Sequence, residues 1–255
     1  MNNIYTQKSI NMKKLLLVAL SIFLIGSAVK ADMFDAYSIG AGISTFSILG
    51  DNPAKLPIIQ NDTTKKFVYG GSFDAVQPGF AARLTMYKGE RIRVPVDIDF
   101  TIYSSGERYP VSGLLTIFYW HEVHNLSVGS GFYYVLTHLD WAKTDIYAGA
   151  DLRGNIITRS ELTYRDSWRN DQKRDTSYVV NRKSGAFRIG SFARLGIEGQ
   201  LKSKLKIDAS IGVGVLNLFP RDSKRGELLT PLQYYEKKEQ IVPVLNFMLL
   251  LKYSL

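Results

Sequence analysis

Residues 80–103, FAARLTMYKGERIRVPVDIDFTIY, decide how this chain folds. They form two alternating runs around a tight turn at residues 88–91, and a period of two puts alternate side chains on opposite faces of a β-strand. In the second run one face carries charges of both signs and the other is wholly apolar. The apolar face consists of Ile92, Val94, Val96, Ile98, Phe100 and Ile102.

Two folds accommodate such a hairpin. A soluble sandwich hides the apolar face against a second sheet, whereas an outer-membrane barrel turns it towards lipid and keeps the charged face inside. Residues 186–200 and 204–217 form a second hairpin of the same kind, and residues 241–255 form an apolar, aromatic-bearing last strand. The connections alternate between long and tight, as in barrels with short periplasmic turns, and no helix pattern interrupts them. The barrel is therefore favoured.

The predicted fold class is all-β, a closed antiparallel up-and-down transmembrane β-barrel of eight strands. The eight strands are predicted at residues 34–48, 80–87, 92–103, 111–120, 126–138, 186–200, 204–217 and 241–255. Turns are expected at residues 104–108 and 121–125, and the charged, aperiodic residues 159–183 are expected to form an exposed loop. Counting residues 145–152 and one partner gives ten strands, and an even number is expected of a closed bacterial barrel.

The beginning of the chain predicts export. Two lysines precede the apolar run of residues 15–25, and small residues follow up to Ala31, which is the pattern of a secretory signal. Residues 1–31 are therefore predicted to be the signal and residues 32–255 the barrel domain. The chain has no cysteine and carries 32 Lys and Arg against 23 Asp and Glu, with four of the lysines inside the signal. The exported part is only mildly basic, and export argues against a nucleic-acid partner.

Three segments resemble the small outer-membrane β-barrel families of Gram-negative envelopes, the OmpA-, OmpX- and OmpW-like barrels. Residues 187–218 look like the penultimate hairpin of these barrels, residues 146–151 look like their aromatic-x-Gly strand openings, and residues 247–255 look like the C-terminal insertion strand. Family members usually end in Phe or Trp, whereas this chain ends in Leu255 behind Tyr253. The resemblance implies an outer-membrane location and the barrel fold, and it says little about activity.

Charged residues on the inward faces form the candidate site. In a small barrel they must pair with each other or stay hydrated, because an unpaired buried charge is costly. They act either as a salt-bridge network that plugs the barrel or as the lining of a narrow polar pore, and eight strands favour the plug. The predicted lumen charge network consists of Arg83, Arg93, Asp97, Asp99, Arg188, Arg194, Glu198, Lys206 and Asp208.

The three histidines give only weak signals for chemistry. His121 and His124 flank Glu122 in a spacing that differs from the helical His-Glu-x-x-His zinc motif, so no metal site is predicted. Some outer-membrane barrels modify lipid A with a His, Ser and acid set. The pairs His124 with Ser127 and His138 with Asp140 are the only candidates for that role, and no catalytic residue is assigned.

The sequence therefore predicts a non-catalytic outer-membrane barrel with a structural or surface-interacting role and no cofactor. The alternatives are a narrow channel for small solutes, a lipid A-modifying enzyme and a soluble periplasmic lipocalin-like binder. The expected partners are outer-membrane lipid and lipopolysaccharide, the barrel assembly machinery, and an extracellular or envelope protein bound through the loops. Trp141 and Trp168 are expected at the outer end of the barrel.

Overall fold

The structure, a computed structural model, describes residues 33–59, 69–170, 175–221, 226–231 and 239–255. The signal predicted at residues 1–31 lies outside the described residues. Among the described residues no helix is long and apolar enough to cross a membrane. They form nine β-strands: β1 (Ala36–Ile48), β2 (Gln77–Lys88), β3 (Ile92–Pro110), β4 (Leu115–Leu139), β5 (Thr144–Trp168), β6 (Ser177–Arg182), β7 (Ala186–Gln200), β8 (Leu205–Val215) and β9 (Pro243–Ser254).

Eight of these strands close into a ring. The order around the ring is β1, β2, β3, β4, β5, β7, β8 and β9, and β9 pairs with β1 to complete it. Every neighbouring pair is antiparallel, so the ring is an up-and-down barrel, and the predicted fold class is confirmed. Strand β6 lies outside the ring, and within the described residues its strand partner is the far end of β5.

The alternation seen in residues 80–103 sorts the side chains between the lumen and the outer wall. Arg83 and Asp97 face the lumen and are each 2% exposed, whereas Phe80 on the outer wall is 71% exposed. The other ring strands follow the same rule: their buried charges face the lumen and their outward side chains are mostly apolar, although Phe192, Met248 and Leu250 are apolar residues that face inward. Outward apolar side chains on other strands include Ile43, Phe132, Leu195, Ile211 and Leu251.

The predicted count of eight strands is right, but two members of the set are wrong. Residues 111–120 and 126–138 belong mostly to one strand, β4, and residues 145–152, which the eight-strand count left out, lie in ring strand β5. The predicted turn at residues 121–125 pairs in register with residues 101–105 of β3. Its polar side chains alternate between the lumen and the outer wall, which a sequence reading takes for the polarity of a turn.

Strands β3, β4 and β5 continue beyond the ring and join β6. We call this part, residues 102–110, 115–124, 159–168 and 177–182, the protruding sheet. It contains the predicted turn at residues 104–108 and most of the predicted loop at residues 159–183, so both predictions are wrong. The apolar alternation ends there because the sheet has left the barrel wall. Gly106, which the sequence places in a turn, lies under the ring of Trp120. A Cβ added to Gly106 would lie 3.0 Å from the nearest atom of that ring.

The two ends of the barrel differ. The tight turns at residues 89–91, 140–143 and 201–204 lie at the end where β1 begins and β9 ends, which we call the turn end. The long connections and the protruding sheet lie at the opposite end, the loop end. Trp141 sits in the turn at residues 140–143 and Trp168 lies at the loop end, so the two tryptophans that were expected at one end lie at opposite ends.

Candidate functional site

Ion pairs fill the middle of the lumen. Arg83 donates from Nε to Asp97 Oδ1 at 2.6 Å and from Nη2 to Asp97 Oδ2 at 3.0 Å, which is a two-point arginine–carboxylate contact. Its Nη1 atom lies 3.3 Å from Asp208 Oδ2. The hydroxyl of Tyr147 donates to Asp208 Oδ1 at 2.6 Å. Arg83 therefore links strands β2, β3 and β8 across the barrel.

Arg153, on β5, is the second centre of the network. Its guanidinium lies 2.9 Å from Asp97 Oδ2 and 2.7 Å from Asp151 Oδ1, and it also pairs with Asp99. The Arg153 side chain is 1% exposed, so these contacts are made out of water. One cation thus holds three carboxylates from two strands together.

Arg194 extends the network towards the strands that close the ring. It contacts Asp151 Oδ2 at 3.2 Å, Ser210 Oγ at 3.1 Å and Asn246 Oδ1 at 2.8 Å. Asn246 in turn donates to Ser44 Oγ at 3.0 Å. These contacts tie β7, β8, β9 and β1 to the central carboxylates.

A second group of charges lies nearer the turn end. Lys252 lies 3.2 Å from Asp208 Oδ2 and also pairs with Glu198. Lys206 lies 3.2 Å from the same glutamate. Arg93 lies 3.5 Å from Glu198 Oε1, and its guanidinium is placed over the rings of Tyr87 and Tyr147. The two groups meet at Asp208, so the charges form one connected network.

All nine predicted site residues face the lumen. Eight are at most 6% exposed, and the Lys206 side chain is 25% exposed. The structure brings all of them except Arg188 into the connected network. With the residues that the sequence reading missed, the network balances six cations against six carboxylates. The cations are Arg83, Arg93, Arg153, Arg194, Lys206 and Lys252, and the carboxylates are Asp97, Asp99, Asp145, Asp151, Glu198 and Asp208.

Sequence reasoning missed four members of the network. Asp145, Asp151 and Arg153 lie on β5, which the eight-strand count left out, although the alternation of residues 145–152 puts both aspartates on the inward face. Lys252 stands between the outward-facing Leu251 and Tyr253, and that spacing marks it as inward. For Asp145, Asp151 and Lys252 the alternation of the strand therefore predicts an inward side chain.

Arg188 belongs to a separate cluster at the loop end. Its Nε atom donates to Glu239 at 2.9 Å, and Asn217 donates to the same carboxylate at 2.6 Å. Both charged side chains are buried, although Glu239 lies in the long connection between β8 and β9. The loop therefore supplies the counter-charge for a strand residue, which a periodic pattern does not reveal.

Apolar residues close the mouth of the barrel at the loop end. Ala54 and Phe73 from the first long connection, and Leu228 and Leu229 from the last, are buried in one cluster with residues of the barrel wall. Gly71 has no room for a side chain, since a Cβ there would lie 2.4 Å from the Ala54 carbonyl oxygen and 2.7 Å from that of Leu229. The two connections therefore touch each other above the charged network.

The structure separates His121, His124 and Ser127. His121 points inward and is buried, with Nδ1 3.0 Å from the Gly71 carbonyl oxygen, whereas His124 lies on the outer wall, 2.7 Å from Glu122. Ser127 faces the lumen, so it is on the wrong face to pair with His124. Among the described ranges, no group of three or more His, Asp or Glu side chains is placed to hold a metal ion.

His138 lies at the turn end beside a cavity of about 640 Å³ that Tyr87, Arg93 and Lys206 also line. Its ring hydrogen-bonds to Asp145 through Nδ1, and Nε2 lies 3.3 Å from Asp140. The hydrogen bond to Asp145, with nearby carboxylate charge, raises the pKa of His138 above its ordinary 6.5. No nucleophile is positioned by these contacts.

The raised pKa of His138 predicts how this contact responds to pH. Because the imidazolium form is favoured in the folded chain, its stabilising contribution is complete below about pH 6.5 and fades as the pH rises through the folded pKa. We expect an NMR titration of the micelle-bound protein to give a His138 pKa above 6.5, and Asp145→Asn to lower it. A value at or below 6.5 in the unmodified protein would contradict the contact.

Comparison with known proteins finds similar folds only. No family model matches the chain, and no curated protein matches it. Among solved structures, Ail, the attachment invasion locus protein of Yersinia pestis, aligns over 88% of this chain and 100% of its own, at 12% identity and a TM-score of 0.38. Its complex with the heparin analogue sucrose octasulfate gives 13% identity and a TM-score of 0.40 over the same shares.

Neisserial surface protein A aligns over 86% of this chain and 96% of its own, at 10% identity and a TM-score of 0.41. Similarities at these scores are too loose to carry an argument about this protein. The eight-strand barrel rests on the strand pairing itself.

Proposed function

We propose that this chain is an integral outer-membrane β-barrel protein of a Gram-negative bacterium, exported by residues 1–31, without catalysis and with a surface-interacting role. The observation that carries the proposal is the inverted distribution of side chains. The lumen holds the balanced network of buried charges, while large apolar side chains all around the ring stay half-exposed. A soluble protein rarely leaves so wide an apolar surface in water, whereas a membrane barrel turns it to lipid.

The orientation follows from the two ends. Membrane barrels keep short turns in the periplasm and long connections outside, so the turn end is assigned to the periplasm and the loop end to the cell surface. Tyr37, Tyr134 and Tyr253 are outward residues near the turn end, as expected of an interfacial aromatic girdle. Insertion by the barrel assembly machinery follows from this location, and no nucleic-acid partner is proposed.

The protruding sheet is the surface best placed for contact with a partner. Four tyrosines cross it in a row on one face, with ring-centroid distances of 5.8 Å, 5.6 Å and 4.9 Å between successive members Tyr109, Tyr119, Tyr164 and Tyr178. Such aromatic pairs stabilise the pairing of neighbouring strands. The last strand, β6, leaves Tyr178, Val179 and Val180 exposed at the edge of the sheet. A well-paired sheet with an exposed apolar edge supports a role in binding another envelope or extracellular protein.

Cysteine labelling tests the location and the orientation together. The chain has no cysteine, so one introduced residue reports alone. We expect a membrane-impermeant maleimide to label Gly113→Cys, at the tip between β3 and β4, on intact cells. The matched variant Ser203→Cys, in a tight turn at the other end, should react only after the outer membrane is permeabilised. Labelling of residue 203 on intact cells would contradict the orientation, and a soluble protein labelled at both positions would contradict the membrane location.

The packed lumen supports a closed barrel over the narrow channel. Arg83, Arg153, Tyr133 and Tyr147 are all at most 2% exposed inside it, and the apolar cluster, which includes Tyr103, covers its mouth. We expect the refolded protein to give no conductance steps in planar bilayers. Regular steps that scale with salt concentration would instead favour the channel.

A further inference from the structure

The outward face of the protruding sheet contains a groove of about 400 Å³ built by three strands. Its lining combines two aromatic rings, three hydroxyl groups and one guanidinium. These belong to Phe118, Trp120, Thr163, Arg165, Ser167 and Ser177. Cross-strand pairing of Trp120 with Thr163 and of Phe118 with Arg165 sets each ring beside a polar group.

Each ring has its cross-strand neighbour on β3, Gly106 for Trp120 and Arg108 for Phe118. The Trp120 ring lies across Gly106 on the neighbouring strand, where no side chain intervenes, and 53% of the residue stays exposed. The guanidinium of Arg108 lies 6.0 Å from the centre of the Phe118 ring. An exposed, fixed aromatic surface is suited to stacking with the apolar face of a sugar ring, which also presents hydroxyls to Thr and Ser.

A belt of ion pairs separates this groove from the apolar wall. His124 and Arg159 contact Glu122 at 2.7 Å and 2.9 Å, and Arg159 and Arg182 contact Glu161 at 2.8 Å and 2.6 Å. On β4 the belt interrupts the outward apolar residues, with Phe132, Tyr134 and Leu136 on the ring side and Phe118 and Trp120 beyond it. Trp120 lies two positions beyond Glu122 on β4, and Phe118 lies six positions beyond His124, which is roughly 20 Å along a strand. The groove therefore lies on the outward face of the sheet, on the loop-end side of the belt, which the proposed orientation places towards the cell surface.

The arginines beside the groove are less fully neutralised by carboxylates than the arginines of the belt. The belt matches its arginines with carboxylates, but Arg108 has no carboxylate partner among the residues that the structure describes. Arg165 is 3.7 Å from Asp175, and its side chain is 62% exposed. Asp175 already accepts hydrogen bonds from the Trp168 backbone at 2.8 Å and from Ser167 at 3.3 Å. Two guanidinium groups thus stay available for a phosphate, which they bind with two-point geometry.

We propose that this groove binds the phosphorylated sugar core of lipopolysaccharide molecules that surround the barrel. The inference rests on the proposed function, because only insertion in the outer membrane places this face against that layer. Trp120 and Phe118 stack on the sugars, Thr163 and Ser177 take their hydroxyls, and Arg108 and Arg165 take a phosphate. The lipid chains pack lower down, against the apolar wall.

Tryptophan fluorescence tests the groove directly. Trp120, Trp141 and Trp168 are the tryptophans of the chain, so Trp141→Phe with Trp168→Phe leaves Trp120 as the reporter. This protein, refolded in phospholipid bilayers, is titrated with three probes: lipopolysaccharide bearing the phosphorylated inner core, lipid A alone, and the core oligosaccharide freed of lipid. We expect the first probe to shift the emission to the blue and to protect Trp120 from iodide.

Arginine variants supply the matched controls. Arg108→Gln and Arg165→Gln are each expected to weaken the response to core-bearing lipopolysaccharide about tenfold, since each removes one charge-assisted phosphate contact. Arg91→Gln removes an exposed arginine that stacks on Tyr134 at the opposite end, and it should leave the response unchanged. Equal loss in all three variants would overturn the assignment to the groove.

The other outcomes separate this inference from the proposed function. An equal response to lipid A alone would overturn the claim that the groove recognises the sugar core. Equal affinity for the free oligosaccharide would overturn the claim that the ligand is the membrane-anchored lipopolysaccharide. No response in a sample that still migrates as a folded, heat-modifiable barrel would overturn the inference alone. A sample of native protein that never shows heat-modifiable migration would overturn the proposed function itself.

Discussion

Arg153→Met is expected to lower the free energy of unfolding by about 3–5 kcal/mol, the usual cost of removing one partner from a buried ion pair. The guanidinium lies 2.9 Å from Asp97 and 2.7 Å from Asp151, and it also pairs with Asp99. Methionine keeps much of the side-chain volume, so the loss comes from charge and not from a cavity. Three carboxylates would then share the remaining cations, chiefly Arg83 and Arg194.

Urea unfolding of the protein in lipid vesicles measures this loss. Arg91→Met, at the exposed turn end, is the matched control and should change stability by less than about 1 kcal/mol. Adding Asp99→Asn to Arg153→Met should recover about 1–2 kcal/mol, because it removes one of the stranded charges. A loss below about 1 kcal/mol for Arg153→Met would mean that the lumen is hydrated and that the network is not a structural unit.

Ile211→Arg is expected to cost about 2–4 kcal/mol, the usual penalty for arginine on the lipid face near the middle of a barrel. Ile211 lies midway along β8, faces outward and is 45% exposed, with Leu195 and Phe247 beside it on the neighbouring strands. In a water-soluble protein a residue this exposed tolerates arginine within about 0.5 kcal/mol. The substitution therefore distinguishes a lipid-facing wall from a water-facing one.

Val180→Arg is the matched control for this experiment. Val180 is 42% exposed on β6, in the protruding sheet, where the proposed orientation places water outside the membrane. The free energy of unfolding of this variant should lie within about 0.5 kcal/mol of that of the unmodified protein. Equal, small effects of Ile211→Arg and Val180→Arg in vesicles would contradict the assignment of the outer wall to lipid.

The sequence is informative wherever one face of a strand is charged and the other apolar. In residues 80–103 that contrast places Arg83, Asp97 and Asp99 inside, and the pairing of β2 with β3 sets Arg83 directly opposite Asp97. The same contrast in β7 and β8 places Glu198 opposite Asp208. Alternation determines which side of the wall a residue takes, because the period of a strand is two.

Alternation is a weaker guide above the barrel, where polar and charged residues occur on both faces of the strands. Residues 159–168 are charged on both faces, so nothing in their pattern distinguishes a paired strand from a loop, yet they pair with β4 and β6. The ion-pair partner of Arg188 could not be predicted from the sequence, for a different reason. Glu239 comes from a long connection that folds back into the mouth, and such a contact depends on tertiary packing and not on local pattern.

Heat modifiability tests the central claim, a closed barrel in the outer membrane, most directly. The outer-membrane fraction is run on a denaturing gel with and without boiling. A barrel closed by eight paired strands should resist detergent until boiled, so the unboiled protein should migrate faster than the boiled one. A single band in both lanes, with the protein in the soluble fraction, would contradict the account, and the apolar wall would then have to be covered by something other than lipid.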